Sequence, residues 1–287
     1  MTLLENPIWN ALRTRHADNS LGGDLARRYP AEIGPLAGIA EESPACYEAL
    51  RGLLAGPTDV LVLFLPQEPE PIPGWNLLRS GAIYQMVRKR RVPETLGHQT
   101  SEITNVGVPQ VPDVGTSDIT RSSGAPGPSL LGTWDSTTLN TTKLDLRKLG
   151  AIHAPAMVAL AELTEPGPFR LRTLELGTFY GVFEDDRLVS MAGKRMHLPG
   201  YVEVSGVCTH PDARGRGYAR LLMSLVIDEI ERDGDNAFLH VLTENPAIRI
   251  YENLGFSIER TFHFAALGTE AAAQAAAPHP PNPNRCG

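Results

Sequence analysis

Apolar and polar residues follow helical and strand-like periods along the chain, and these periods predict its elements. In the first third, helical spacing covers residues 7–12 and 43–54. A continuous apolar run from Val60 to Leu65, directly after Asp59, is typical of a buried strand, and mixed apolar residues at 75–92 predict one or two more. We therefore expect residues 1–92 to form a folded N-terminal α/β lobe.

A second folded unit is predicted from residue 144 to residue 267. Its expected elements alternate between strands and helices and lie at 155–163, 178–183, 187–195, 201–208, 218–230, 238–242, 246–253 and 256–264. The acidic pair Asp185-Asp186 favours a tight turn between two of these strands, and Gly255 favours a left-handed helix cap. This order predicts an α/β unit with a mainly antiparallel central sheet flanked by helices.

Composition changes between the two units and again after the second. Residues 93–143 are rich in Gly, Pro, Ser and Thr and have no sustained period, which predicts a linker or a long surface loop. Residues 268–287 are rich in Ala and Pro and are typical of a disordered tail.

Composition and charge narrow the class of protein. The 287 residues are 42% hydrophobic and 21% charged, as in soluble globular proteins, and a net charge of -7 argues against nucleic acid as the main partner. The three cysteines lie far apart without metal-ligand spacing, so we expect free thiols in a reducing, cytoplasmic compartment and no bound metal. Neither a signal peptide nor a membrane-spanning run is predicted.

The segment from residue 207 to residue 220 carries the clearest chemical signal. An apolar strand ends in a Pro-containing turn, the loop Arg214-Gly215-Arg216-Gly217 follows, and a helix starts near Tyr218. Backbone amides at a helix N-terminus after a glycine loop form a ready site for phosphate. The loop lacks the Lys of a Walker A motif, and Arg220 replaces the third glycine of a dinucleotide fingerprint.

The loop fits the pattern Arg-x-x-Gly-x-Ala and resembles the acetyl-CoA loop of the GNAT superfamily of N-acetyltransferases. Further similarities to the FR47-like branch of that superfamily are Gly206-Val-Cys-Thr-His-Pro211, Asn245, Tyr251 and Gly255-Phe256. The resemblance is specific over about residues 200–260. It implies a GNAT-like fold for residues 144–267, and the N-terminal lobe could then be a degenerate copy of that fold.

The resemblance also implies which residues contact acetyl-CoA. The small residues of the loop would let its amides approach the pyrophosphate, and the strand before the loop would pair with pantetheine as an added strand does. Asn245 could cap the following helix, hydrogen-bond the pantetheine arm, or do both. The expected contacts are Val207, Cys208, Thr209, Arg214, Gly215, Arg216, Gly217, Tyr218, Ala219 and Asn245.

Acetyl transfer from a thioester to an amine requires loss of a proton from the amine and protonation of the departing thiolate. The resemblance places Tyr251 beside the sulfur as the acid; the alternative is an aromatic core residue packed on Phe256. Glu203 corresponds to the catalytic glutamate of histone-type members; the alternatives are a solvent-facing residue or an ion pair with Arg195. His240 is a second candidate base, or a buried structural histidine.

These observations predict an acyl-CoA-dependent N-acyltransferase that moves acetyl from acetyl-CoA directly to a small-molecule or peptide amine. Two alternatives stay open: a longer-chain or amino-acid N-acyltransferase, and a non-catalytic acyl-CoA-binding module whose N-terminal half binds a partner. Residues 197–200 and the N-terminal half are the expected acceptor wall. We expect no nucleic-acid or membrane partner, and the pattern does not predict an oligomeric state.

Overall fold

The computed structural model of the chain describes residues 2–90 and 144–276. The first range contains helices α1 (Pro7–Arg13) and α2 (Pro44–Arg51) and strands β1 (Leu21–Gly22), β2 (Ala26–Arg28), β3 (Ala37–Ile39), β4 (Val60–Leu65) and β5 (Asn76–Arg88). The second contains β6 (Asp145–Leu149), α3 (Ala154–Thr164), β7 (Phe179–Glu184), β8 (Arg187–Leu198), β9 (Tyr201–Thr209), α4 (Tyr218–Arg232), β10 (Asn236–Leu242), α5 (Ile248–Asn253), β11 (Ser257–Gly268) and α6 (Glu270–Ala276).

Eight strands form the central sheet, in the order β4-β11-β5-β10-β9-β8-β7-β6. Every neighbouring pair is antiparallel except β9 and β10, which run parallel. The mainly antiparallel α/β architecture predicted from the sequence is therefore confirmed. Asp185 and Asp186 form the turn between β7 and β8, and both adopt positive φ (48° and 58°), as a tight hairpin of this kind requires.

Helices cover both faces of this sheet. On one face, α4 buries Leu222, Met223, Val226, Ile227 and Ile230 against the sheet. On the other face, α1 packs against residues of β8 and β10. The helical period predicts a buried stripe of Leu221, Leu222, Leu225, Val226 and Ile230; Leu222, Val226 and Ile230 are buried, whereas Leu221 is exposed.

The N-terminal half completes the central sheet. Strand β5 pairs with β10 on one side and with β11 on the other, and β4 pairs with β11 at the sheet edge. The expected lobe at 1–92 and the expected domain at 144–267 thus share one sheet and one compact unit. Residues 2–90 extend the fold instead of building a second copy of it, and 76–88 form one long strand.

Two predictions concern the segments outside these units. The expected linker at 93–143 lies outside the described residues, as does the end of the tail. The start of the tail is helical, so the prediction of disorder from residue 268 is wrong for α6. Thr269 caps this helix by accepting a hydrogen bond from the Ala272 amide at 3.3 Å, and the alanines that follow have the highest helix propensity.

Among the helices of residues 2–90 and 144–276, none combines the length and the apolar character that a transmembrane span needs.

Candidate functional site

A cleft opens between the two parallel strands β9 and β10. Their pairing covers only three positions, from Asn236 opposite Tyr201 to Phe238 opposite Glu203. Beyond Glu203, β10 keeps its antiparallel pairing with β5, while β9 follows β8 and leaves β10. The edge of β9 that faced β10 is therefore available to another extended chain.

A bulge in β9 accounts for this separation. Gly193 lies opposite Ser205 and Met191 opposite Cys208, so β9 contains one residue more than β8 over this stretch. Gly206 adopts a φ of +64° there, a conformation that a residue with a side chain rarely takes. The bulge changes which residues of β9 face α4. Val207 packs against the core cluster that contains the buried residues of α4, and Cys208 packs against α3.

The glycine loop follows β9 and leads into α4, as the sequence predicted. Gly215 and Gly217 have φ of +76° and +80°, and open space surrounds the position where a Cβ of either would lie. The first hydrogen bond within the helix is from the Leu221 amide to the Gly217 carbonyl, at 3.0 Å. The amides of Tyr218 and Ala219 therefore have no acceptor within the helix and can take an anionic ligand.

The side chains around the loop hold its shape. Arg216 and the Tyr218 hydroxyl both donate to the carboxylate of Glu184, and Arg216 also donates to the Asp212 carbonyl at 3.0 Å. Arg214 donates weakly to the Thr209 carbonyl at 3.4 Å. Glu184 was not predictable from the sequence, because no motif connects a residue at the end of β7 to the loop.

Asn245 and Tyr251 lie just before and within the short helix α5. The Asn245 Oδ1 accepts a hydrogen bond from the Ala247 amide at 2.8 Å and closes a turn before α5, whose N-cap position is taken by Ala247 and not by Asn245. Tyr251 is 9% exposed and belongs to the same core cluster as Phe256. Within the described residues its hydroxyl has no hydrogen-bond partner, and burial raises its pKa above the usual value.

Glu203 lies at the closed end of the cleft and is engaged on both oxygens. Arg195 donates to them from Nε and Nη2 at 2.8 and 3.0 Å, and His240 Nδ1 lies 2.9 Å from Oε1. Burial alone would raise the pKa of Glu203, but Arg195 and the hydrogen bond from His240 lower it to about 2. The ion pair with Arg195, one of the alternatives for this residue, is therefore present.

His240 is enclosed by three phenylalanine rings. The ring centroids of Phe64, Phe238 and Phe262 lie 4.6, 5.6 and 6.1 Å from its own. Its Nε2 lies 3.2 Å from Nε2 of Gln85. Since an amide nitrogen only donates, the His240 Nε2 accepts there and Nδ1 carries the proton given to Glu203. Burial lowers the pKa of His240 and favours this neutral form.

Cys208 has no nucleophilic role in this arrangement. Its side chain packs among α3 residues such as Met157 and Leu160, and burial raises the pKa of its thiol to about 11. A contribution of this residue to ligand binding would come from its backbone.

Comparisons with known proteins agree with this geometry. The model of the family described as FR47-like protein matches residues 179–264. A crystal structure of a protein from Novosphingobium aromaticivorans, assigned to the GNAT family as an acetyltransferase, is 31% identical; the match covers 94% of this chain and 100% of that one, with a TM-score of 0.71. The chain therefore belongs to the GNAT family of acetyltransferases, and the FR47-like resemblance is confirmed.

Two other relatives are similar over different extents. A GCN5-related N-acetyltransferase from Kribbella flavida shares the fold at 17% identity and a TM-score of 0.51, with 92% of each chain covered. A mycothiol acetyltransferase from Brachybacterium faecium is 36% identical over 80 residues, which are 26% of this chain and 24% of that protein. The chain thus matches about a quarter of the length of this curated relative.

Proposed function

We propose that this protein transfers an acetyl group from acetyl-CoA to an amine of a small molecule or a peptide. The observation that carries the proposal is that a strand with an unpaired edge and a glycine loop follow one another along the chain. Strand β9 separates from β10 beyond Glu203 and leads, through a short turn at Pro211–Ala213, into a glycine loop at the N-terminus of a 15-residue helix. A ligand with an extended arm and a pyrophosphate matches this combination.

The proposed contacts follow from the open groups of the site. The amides of Gly215, Gly217, Tyr218 and Ala219, with that of Arg216, would bind the pyrophosphate, and Arg214 would add positive charge. The backbone of Val207, Cys208 and Thr209 would pair with the pantetheine arm. The Asn245 side chain uses only its oxygen in the turn before α5, so its amide nitrogen is available to the same arm.

In the proposed reaction the amine nitrogen attacks the thioester carbonyl carbon and forms a tetrahedral intermediate. The carbon–sulfur bond then breaks, and the Tyr251 hydroxyl protonates the departing thiolate of CoA. The raised pKa of Tyr251 keeps this phenol protonated at neutral pH. Because Arg195 and His240 occupy the carboxylate of Glu203, we assign removal of the amine proton to water at the open end of the cleft.

The test combines ligand binding with turnover. Calorimetric titration of the full chain with CoA and with acetyl-CoA should show binding of both. An assay of free thiol release, run over a panel of primary amines, amino acids and short peptides, should show release that depends on the acceptor. Absence of CoA binding would overturn the proposal, whereas CoA binding without turnover on any amine would favour the non-catalytic module.

The location in the cell is part of the same proposal. Cys46 and Cys208 are both free and buried, which supports a reducing compartment such as the cytoplasm.

A further inference from the structure

Four buried polar side chains from four adjacent strands form a continuous chain across one face of the sheet. Arg195 of β8 donates to Glu203 of β9, Glu203 accepts from His240 of β10, and His240 accepts from Gln85 of β5. Gln85 also donates to the Leu4 carbonyl at 3.1 Å, and this bond attaches the residues before α1 to the chain. Each of the four strands contributes one link.

The central link of this chain lies where β9 and β10 separate. Glu203 and Phe238 are the last paired residues of the two strands. His240 is two positions farther along β10 on the same face, so the bond from its Nδ1 to Glu203 continues the connection where the backbone pairing ends. A side-chain bond at this point sets how far the strands stand apart at the closed end of the cleft.

The surroundings make this link rigid. Glu203 is 1% exposed and Arg195 8% exposed, and the phenylalanine rings of Phe64, Phe238 and Phe262 surround His240. Hydrogen bonds between charged and polar groups are strong in such a low-dielectric environment, and losing one partner leaves the other unsatisfied. The same engagement leaves the nitrogens of His240 no free position for a substrate proton.

We propose that Glu203 and His240 are positioning residues that fix the closed end of the acetyl-CoA cleft, and that the N-terminal half holds this pair in place through Gln85. This inference rests on the proposed function, because it concerns the same cleft. It replaces a role of Glu203 or His240 in proton removal with a role in placing the thioester. It also gives residues 2–90 a part in the active site.

Affinity for CoA separates the two roles without a known acceptor. A group that only accepts the amine proton contributes nothing to CoA binding, whereas a group that sets the cleft width does. We expect Glu203→Gln and His240→Phe to weaken CoA binding roughly tenfold or more in calorimetric titration. Small displacements of the strands that border the cleft would have a large effect on the affinity for CoA. Unchanged affinity in both folded variants would overturn the inference.

A conservative variant tests the hydrogen bond itself. In His240→Asn the side-chain nitrogen can take the place of Nδ1 and donate to Glu203, while His240→Phe keeps an aromatic ring but no donor. We expect His240→Asn to recover most of the CoA affinity that His240→Phe loses. Equal losses in both variants would show that ring packing and not the bond to Glu203 matters, and would contradict the inference.

A matched control separates positioning from general stability. Asp59 directly precedes β4 and is the carboxylate partner of another buried arginine, Arg28 of β2. The substitution Asp59→Asn removes this carboxylate. We expect this variant to lower the melting temperature and to leave CoA affinity unchanged. If Glu203→Gln fails to fold, the double variant Arg195→Met with Glu203→Gln removes both charges and leaves no unpaired buried ion. The same loss of CoA affinity is expected from it.

The outcomes also distinguish this inference from the proposed function. If the unmodified protein does not bind CoA, the proposed function fails. If it binds CoA and all variants at Glu203 and His240 bind it equally well, only the positioning role fails.

Discussion

Tyr251 combines a buried ring with an unpartnered hydroxyl, and a single substitution separates the two. Tyr251→Phe removes only the hydroxyl, so packing in the core cluster and CoA affinity should stay close to those of the unmodified protein. If the phenol protonates the thiolate, turnover should fall roughly 10²-fold, the usual scale of general-acid catalysis. The measurement is thiol release with saturating acetyl-CoA.

Tyr180 offers the control for this variant. It packs on the same cluster, and its hydroxyl donates a 3.1 Å hydrogen bond to Glu229 of α4. Tyr180→Phe should therefore turn over normally. A normal rate for Tyr251→Phe as well would make Tyr251 a packing residue and assign protonation of the thiolate to water.

His16 predicts a dependence of stability on pH. Its Nδ1 lies 2.8 Å from the Tyr29 hydroxyl, and burial together with the nearby His197 lowers its pKa from 6.5 to about 4. The unfolded chain therefore binds a proton at this residue before the folded chain does. Stability from this group is complete above pH 6.5 and falls as the pH decreases toward about 4, by about 3 kcal/mol in total.

Urea unfolding of the unmodified protein and of His16→Asn tests this dependence. The Asn side chain keeps an acceptor for the Tyr29 hydroxyl and does not titrate, so its free energy of unfolding should fall less between neutral and mildly acid pH. Equal slopes for the two proteins would contradict the assignment to His16.

Single residues were predictable from the sequence where their neighbours in the chain defined them. The loop residues, Asn245 and Tyr251 lie within a short stretch whose motif is local. Arg195 could be named as a partner of Glu203 because a hairpin connects their strands. Gln85 could not, because 155 positions separate it from His240 and only strand pairing brings the two together.

At the scale of elements, the loop before α4 carries the next prediction. Gly217→Val forces a side chain into a positive-φ position and into the space where the pyrophosphate would lie. We expect CoA affinity to fall by at least about tenfold, or about 1.4 kcal/mol, with the fold retained. Calorimetric titration with CoA measures this loss.

Gly234 provides a closely matched comparison at the other end of the same helix. Its φ is +92°, and its Cβ position is equally open. Gly234→Val should cost similar stability and leave CoA affinity unchanged, because Gly234 follows the C-terminus of α4, whereas the loop precedes its N-terminus. If both variants bind CoA like the unmodified protein, the loop does not bind the ligand.

Elements with a long, regular apolar period were predictable from the sequence. Helix α6 was not, because the local pattern does not contain the contacts that stabilise it. Helix α4 and strand β9 lie where the periods place them. The Ala-rich stretch after residue 268 is compatible with a low-complexity tail and with a helix. The cap at Thr269 and the burial of Ala272 stabilise the helix. This burial comes from packing against the sheet, which the local pattern does not contain.

At the scale of the whole molecule, the placement of β5 could not be predicted from the sequence. Composition separates the chain into two halves around residues 93–143, and this favours two independent units. Strand pairing is non-local, however, and β5 enters the sheet between β10 and β11. Each half alone would expose strand edges and apolar surface that the other half covers.

This arrangement predicts that the two halves fold only together. Residues 144–287 expressed alone should show no cooperative thermal unfolding, because β10 and β11 would lose the strand that joins them. Residues 1–92 and 144–287 expressed together as separate chains should copurify and should bind CoA like the intact protein. Size-exclusion chromatography, circular dichroism and calorimetric titration measure these properties. A cooperatively folded 144–287 fragment with full CoA affinity would mean that the N-terminal half has no part in the cleft, and it would contradict the role of Gln85 as well.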